Sequence, residues 1–341
     1  MKMKAILVLI IFFAIVGQLL SQDPNSSLQY SVPSMLAPTM VGQVDGMLKA
    51  SASHRYLRVL DDANYNTSWF AVDIPFETNI AKGGMGILAG TDYAKGMNTT
   101  HFMLGGAYEV PLGVKVRYHH LRAGFQVGFV NRKLVRPDLY FEDQFNGFGF
   151  SGQTQEQFQG LSKGYFDLAM GVMWYRTQKI KGNPEFNPWF SASIHHITRP
   201  NVRFFNEPAE RLSYRYSFIA GGKLRTRTPF DANINLSYFL QNNSHLFSLG
   251  LFGRYVFYER KVWFDEENGD VFAGFMLRPY RSIVYMVGAG LKKNYYFAVG
   301  YDMLVAKERI VNGNFGGIQF MFVYILGGHK YDKPFLPYPV F

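Results

Sequence analysis

Four glycines close together are the first residues that could bind a ligand: Gly83, Gly84, Gly86 and Gly90. A phosphate-binding loop needs a helix directly after its glycines, because the free N–H groups of the helix start bind the phosphate. Here the glycines lie inside a segment with the two-residue pattern of a strand, and no helix pattern follows. We therefore interpret them as glycines that allow a curved strand to bend.

Two pairs of adjacent histidines are the next candidates, His119–His120 and His195–His196. Adjacent residues of a strand point to opposite faces, so neither pair is expected to chelate one metal ion. No motif links the scattered serine, histidine and aspartate side chains into a catalytic arrangement. The sequence predicts no catalytic residue, no cofactor, no metal site and no enzymatic activity.

The amino-terminal residues have the pattern of a secretory signal peptide over residues 1–21. Lys2 and Lys4 precede the apolar run Ala5–Val16, and Ser21 is a suitable residue for cleavage. Because the apolar run is too short to span a bilayer comfortably, a retained anchor is the less favoured alternative. Cleavage would leave 341 − 21 = 320 residues.

The composition argues against helical membrane spans and against nucleic-acid binding. Aromatic residues make up 17% of the chain, and 34 of the 341 residues are glycine. The absence of cysteine means that an exported chain must be held together by pairing and packing alone. The longest apolar run after the signal is Phe320–Leu326, which excludes helical membrane spans. The net charge of +10 comes from dispersed lysines and arginines, which argues against nucleic-acid binding.

The clearest pattern lies between Phe230 and Leu240. Its even-numbered side chains are apolar, and its odd-numbered side chains are polar up to Ser237. Successive side chains of a strand alternate between two faces, so this strand has one apolar face and one polar face. Such a sheet is either half exposed in a soluble protein or part of a barrel whose apolar face contacts lipid.

Strand length favours the barrel, because a tilted strand needs about 9–11 residues to cross the hydrocarbon layer and soluble strands have a mode of about 5–6. We predict an all-β outer-membrane antiparallel barrel of about 14 strands. The predicted strands are residues 44–57, 65–76, 83–93, 98–110, 114–130, 164–176, 188–198, 211–224, 229–240, 245–258, 270–278, 281–291, 294–305 and 315–326.

An even number of strands puts both chain ends on the periplasmic side and the long 131–163 segment outside. The predicted units are a signal peptide (1–21), a barrel with an amino-terminal lead-in (22–326) and a periplasmic carboxyl-terminal tail (327–341). Whether the lumen conducts stays open. If it does, Arg122, Arg254, Asp73 and Asp167 would set its ion preference.

The long loop and the tail hold the candidate partner-binding residues. Aromatic residues on an exposed loop mark an interaction surface or a plug folded into the barrel mouth, although such a loop also packs on itself. The prolines of the tail forbid strand pairing, so the tail binds a periplasmic partner, enters the lumen or is disordered. The candidates are Phe141, Asp143, Gln144, Phe145, Phe148, Phe150, Tyr331, Phe335, Tyr338 and Phe341.

Several short motifs resemble one family in their order and spacing. Leu28-Gln29-Tyr30 followed by Ala37-Pro38 resembles an "SQY … NPA" opening. The segment 139–144 resembles an "LxFxDQ" motif, and Gly300-Tyr301-Asp302 resembles "GYSYD" with two residues lost. With the proline-rich end, these features are similar to the PorP/SprF-type membrane proteins of the type IX secretion system, over nearly the whole chain.

The resemblance implies a non-enzymatic outer-membrane barrel that serves type IX secretion or gliding. Its partners would be a periplasmic peptidoglycan-binding lipoprotein, a large secreted adhesin, or both, besides the lipid of the outer membrane. The periplasmic turns and tail would serve the lipoprotein, and the outward loops or the barrel opening would serve the adhesin. An outer-membrane porin or substrate-selective channel is the alternative function.

Overall fold

A computed structural model describes residues 28–60, 63–77, 82–94, 96–112, 119–134, 161–177, 185–204, 211–226, 228–260, 265–279, 281–292, 294–305 and 316–327. It contains fourteen strands. They are β1 (Leu48–Leu60), β2 (Ala63–Glu77), β3 (Lys82–Ala94), β4 (Met97–Leu112), β5 (His119–Leu134), β6 (Ser162–Arg176), β7 (Glu185–His195), β8 (Arg215–Arg225), β9 (Phe230–Gln241), β10 (Ser244–Arg260), β11 (Asp265–Arg278), β12 (Ser282–Leu291), β13 (Tyr295–Leu304) and β14 (Gly317–Leu326).

The strands form one closed antiparallel barrel in which each strand pairs with its neighbours in the chain. β1 and β14 close it in continuous register from Leu48 opposite Leu326 to Leu57 opposite Gly317. Closure leaves no sheet edge with unpaired N–H and C=O groups, which a lipid environment requires. Each predicted strand corresponds to one observed strand, so the predicted barrel is confirmed. In the described residues, no helix is long and apolar enough to cross a membrane.

Alternation along the strands sorts side chains into an outer and an inner face. In β9, Ile234 and Leu236 are exposed on the outside, while Asn233 and Asn235 are buried inside. The other strands repeat the pattern and give the barrel an apolar outer face suited to lipid. Exposed apolar side chains of this face include Phe102, Leu104, Phe125, Val127, Met170, Val172, Phe190, Phe218, Phe275, Val287, Phe297 and Phe320.

The two open ends of the barrel differ in what they carry. We call the end where β1 begins and β14 ends the terminal rim, and the other end the opposite rim. Lys49 and Asp73 face each other close to the terminal rim. Gln319 and Arg278 lie close to the opposite rim, at the start of β14 and the end of β11.

Residues 28–44, which precede β1, lie inside the barrel. Residues 28–44, here called the luminal segment, contain three short 3₁₀ turns, Gln29–Ser31, Pro33–Met35 and Pro38–Met40. Every residue of the luminal segment is buried except Met35, which is half-buried, and none of them is charged. The described part of the lead-in, residues 28–44, is therefore an internal plug.

Candidate functional site: the luminal segment and its wall

Arg122 of β5 binds the carboxyl half of the luminal segment. Its Nε donates a hydrogen bond to the Thr39 carbonyl oxygen at 2.8 Å, and its Nη2 donates to the Val41 carbonyl oxygen. Its Nη1 lies 3.2 Å from Oε2 of Glu109 on β4. Because a guanidinium has five donors in a rigid fork, one side chain satisfies two backbone carbonyls and one carboxylate.

The glycines of the wall give the segment room to approach. A Cβ atom on Gly84 would lie 2.4 Å from the Cα atom of Gly42, and one on Gly124 would lie 2.5 Å from the Pro38 carbonyl carbon. Gly86 likewise faces Val41. The interpretation of Gly84 as a bend missed this role, because a side chain at Gly84 would collide with the backbone of the segment.

Charged side chains fix the point where the segment joins β1. The Gly42 amide donates to Oδ1 of Asp73 at 2.9 Å, and Nζ of Lys49 lies 3.5 Å from Oδ2 of Asp73. The same Lys49 ammonium donates to the Gln43 carbonyl oxygen at 3.5 Å. Gly42 has a φ of +68°, a backbone conformation that glycine adopts without strain.

Neutral groups bind the amino half of the segment. The Leu28 amide donates to Oε1 of Gln319 at 2.7 Å. In the Gln29 side chain, Nε2 donates to the Ser248 hydroxyl at 3.1 Å, and Oε1 accepts from the Ser237 hydroxyl at 3.3 Å. Since Gln319 and Ser248 belong to the half of the barrel near the opposite rim, the segment extends from one rim almost to the other.

Two further contacts bind backbone carbonyls in the middle of the segment. Gln126 of β5 donates to the Ser34 carbonyl oxygen at 2.8 Å, and Ser217 of β8 donates to the Leu36 carbonyl oxygen at 3.1 Å. The wall thus recognises mainly the backbone of the segment.

Apolar side chains occupy part of the lumen. Side chains of the segment share one buried cluster with inward-facing side chains of β6–β14. The interior of a water-filled porin is polar, whereas here an apolar cluster packs between the segment and the wall. The cluster includes Leu28, Tyr30, Leu36, Met40 and Val44 of the segment and Trp189, Ile219, Phe239, Phe252, Phe272, Met276, Met286, Tyr296 and Met321 of the wall.

The charged side chains of the wall are paired with one another. Nη2 of Arg254 lies 2.6 Å from Oδ2 of Asp270, and Nζ of Lys223 lies 3.4 Å from Oδ2 of Asp231. Near the opposite rim, Asp302 accepts from Arg55 at 3.0 Å and from Arg278 at 3.4 Å. Four residues were considered for ion preference, and all four are buried and face the lumen. Asp73, Arg122 and Arg254 lie in such charged pairs, and Asp167 contacts His196.

The two histidine pairs behave differently. His119 is exposed and His120 buried, as expected for neighbours in a strand. His195 and His196 are both buried, so the expectation that they point to opposite faces is wrong. His196 follows the end of β7 with a φ of +61°, and its Nδ1 lies 2.7 Å from Oδ2 of Asp167.

Over the described ranges, no group of three or more His, Cys, Asp and Glu side chains could hold a metal.

The predicted partner-binding residues lie outside the described residues, both those of the loop (141–150) and those of the tail (331–341). The site that the structure does describe was missed by the sequence reasoning. Its signal was present: an uncharged stretch, residues 28–44, between the export signal and the first strand. The motif residues Leu28 and Gly300 meet there, because a Cβ on Gly300 would lie 2.6 Å from a Leu28 methyl group.

Two solved transporters are similar to this chain. The toluene transporter TbuX of Ralstonia pickettii is 9% identical with a TM-score of 0.51, over 88% of this chain and 94% of that one. The Pseudomonas putida toluene transporter TodX is 7% identical with a TM-score of 0.46, over 90% of this chain and 98% of that one. At 9% identity, the likeness to TbuX shows the fold alone. A comparison with curated proteins finds no match.

A family model described as "Type IX secretion system membrane protein PorP/SprF" matches residues 19–324. This match agrees with the resemblance of the short motifs, and the fold agrees with a location in the outer membrane. The chain belongs to the PorP/SprF family of type IX secretion system membrane proteins.

Proposed function

We propose that the protein is a non-enzymatic, non-conducting subunit of the type IX secretion or gliding apparatus. In this role it docks or anchors a secreted adhesin or a peptidoglycan-binding lipoprotein at the outer membrane. The observation that carries the proposal is the luminal segment, which is buried from Leu28 to Val44 in a barrel of this family. While the segment fills the lumen, the barrel offers its rims and loops to other proteins.

The first test compares conductance with partner recovery. The tagged protein is extracted from the outer membrane in mild detergent, and copurifying proteins are identified by mass spectrometry. We expect a peptidoglycan-binding lipoprotein or a large secreted adhesin, and no steady single-channel current in planar bilayers. A partner-free barrel that conducts alone would favour the porin or selective channel instead.

We further propose that both chain ends face the periplasm, which puts the opposite rim outside the cell. The natural chain has no cysteine, so single cysteines report sidedness without background. Met47 at the terminal rim is 67% exposed, and Arg199 beyond β7 is also exposed. A membrane-impermeant maleimide added to intact cells should label Arg199→Cys and leave Met47→Cys unlabelled.

The two candidate docking regions can be separated by variants. In the proposal, the loop residues Phe141, Phe145 and Phe148 contact the adhesin, and the tail residues 327–341 contact the lipoprotein. Alanine at the three loop positions should therefore remove the adhesin from the purified complex and keep the lipoprotein. Truncation after Leu326 should have the converse effect. Loss of both partners in both variants would contradict this division.

A further inference from the structure

The lumen binds a peptide through its backbone. Arg122, Gln126 and Ser217 donate hydrogen bonds to carbonyl oxygens of the luminal segment, and Asp73 and Gln319 accept from its amides. Backbone groups are the same in every polypeptide. These hydrogen bonds therefore depend little on the ligand's side chains, whereas the apolar cluster requires side chains without charge.

The segment is joined to the barrel at one end only. Its covalent connection is the short Asp45-Gly46-Met47 link to β1, and the barrel closes between β1 and β14 without it. Residues 28–44 form no strand of the barrel ladder. Departure of the segment would therefore break no strand pairing.

The charges of the wall do not depend on the segment for their partners. Arg122 retains Glu109, Lys49 retains Asp73, and Arg254 retains Asp270. An uncharged ligand of similar shape is therefore expected to leave these ion pairs intact, whereas a charged one would enter the lumen without a free counter-charge among these pairs.

From these observations we propose that the lumen is a binding site for an uncharged peptide that forms short 3₁₀ turns, with residues 28–44 as its resident ligand. A segment of another polypeptide with the same chemistry would bind when the resident segment leaves. The wall also selects the residue at one position of the ligand, since the residue facing Gly84 must be a glycine such as Gly42. This inference goes beyond docking at the rims and stands on the luminal geometry alone.

The test uses the full chain, folded first and then cut. A protease recognition sequence inserted between Asp45 and Gly46 allows the link to be cleaved in the purified protein. A labelled synthetic peptide of residues 28–44 is then added, and its binding is followed by fluorescence anisotropy. We expect the peptide to exchange into the cut protein and not to bind the uncut protein, in which the tethered segment keeps its high effective concentration.

Variants of the wall and of the peptide test how the site recognises its ligand. The Gln126→Ala/Ser217→Ala double variant loses two donors to the backbone and should bind the peptide about tenfold more weakly. The control is Ser193→Ala, since the Ser193 hydroxyl contacts His195 instead of the segment. A peptide with Ser34→Ala should bind as well as the natural one, because only the carbonyl group of Ser34 is bound. A peptide with Gly42→Val should not bind.

Three results would overturn the proposal. One is a cut protein that does not take up the labelled peptide after its own segment has been washed away. Another is a barrel that unfolds once the segment is gone, which would make residues 28–44 part of the core and not a ligand. The last is equal binding of the Gly42→Val and natural peptides. None of these results bears on partner recovery from cells, so the proposed docking function stands or falls separately.

Discussion

The two halves of the luminal segment are bound by different chemistry. The carboxyl half, residues 37–44, contacts the charged side chains Arg122, Asp73 and Lys49. It also packs against Gly84 and Gly124 of the wall. The amino half, residues 28–36, contacts neutral amides and hydroxyls, among them Gln319 and Ser248. Hydrogen bonds to charged groups are about twice as strong as neutral ones. The carboxyl half is therefore the anchored half, and the amino half is expected to leave the wall first.

The largest effect is expected from Arg122→Ala, because it removes two bonds to segment carbonyls and one partner of Glu109. The two lost bonds from the charged guanidinium should cost about 1.5–3 kcal/mol each, while Glu109 retains Lys82 and His120. The urea midpoint of the refolded barrel should fall, and current should appear in planar bilayers as the anchored half is released. Arg122→Lys is the control, because lysine keeps a positive charge beside Glu109 but lacks the forked donors of the guanidinium group. An Arg122→Ala barrel that stays closed would show that the anchor lies elsewhere.

Gly84→Ala is expected to have the next largest effect, because its Cβ would meet the backbone of Gly42 at 2.4 Å. Overpacking of this kind costs about 1–3 kcal/mol. The matched control is Gly253→Ala on β10, where the nearest atoms to an added Cβ belong to the Phe230 ring at 3.1 Å. Urea unfolding should separate the two variants. Equal midpoints would mean that the segment shifts away from β3 without loss of binding.

The barrel could be predicted from the sequence and its plug could not, for a physical reason. Alternation in Phe230–Leu240 is a local property that one strand shows by itself, and so is strand length. Leu28 and Gln319, which are in contact, lie 291 positions apart in the sequence, and Arg122 and Thr39 lie 83 positions apart. No local sequence pattern indicates such contacts.

The four glycines between Gly83 and Gly90 show that long-range contacts limit sequence-based prediction in the same way. Their place in a strand was evident from the sequence, but Gly84 faces a second backbone, at Gly42, that lies about 40 residues earlier in the chain. The histidine pair at 195–196 was misjudged because β7 ends at His195, and boundaries are the least reliable part of a sequence-based assignment.

A smaller effect is expected from Gln29→Leu, which removes the neutral bonds to Ser248 and Ser237 in the amino half. Neutral hydrogen bonds contribute about 0.5–1.5 kcal/mol each, so the amino half should loosen while the carboxyl half stays. Single cysteines at Ser31 and Ala37, both buried, report each half. In the Gln29→Leu background, maleimide should label Ser31→Cys faster and Ala37→Cys at its original rate. Faster labelling at both positions would mean that the halves move together.

The smallest effect is expected from Thr39→Val, which removes the 2.7 Å hydrogen bond between the hydroxyls of Thr39 and Ser191. This bond is neutral, like those of Gln29, but it lies in the half that Arg122 anchors through the Thr39 carbonyl. A loss of about 1 kcal/mol in unfolding free energy is expected from one neutral bond, without any change in labelling at Ala37→Cys. Ser191→Ala removes the same bond from the wall side and should match it. If either variant releases the carboxyl half, neutral bonds hold it as firmly as charged ones do, and the difference between the two halves is one of number rather than of charge.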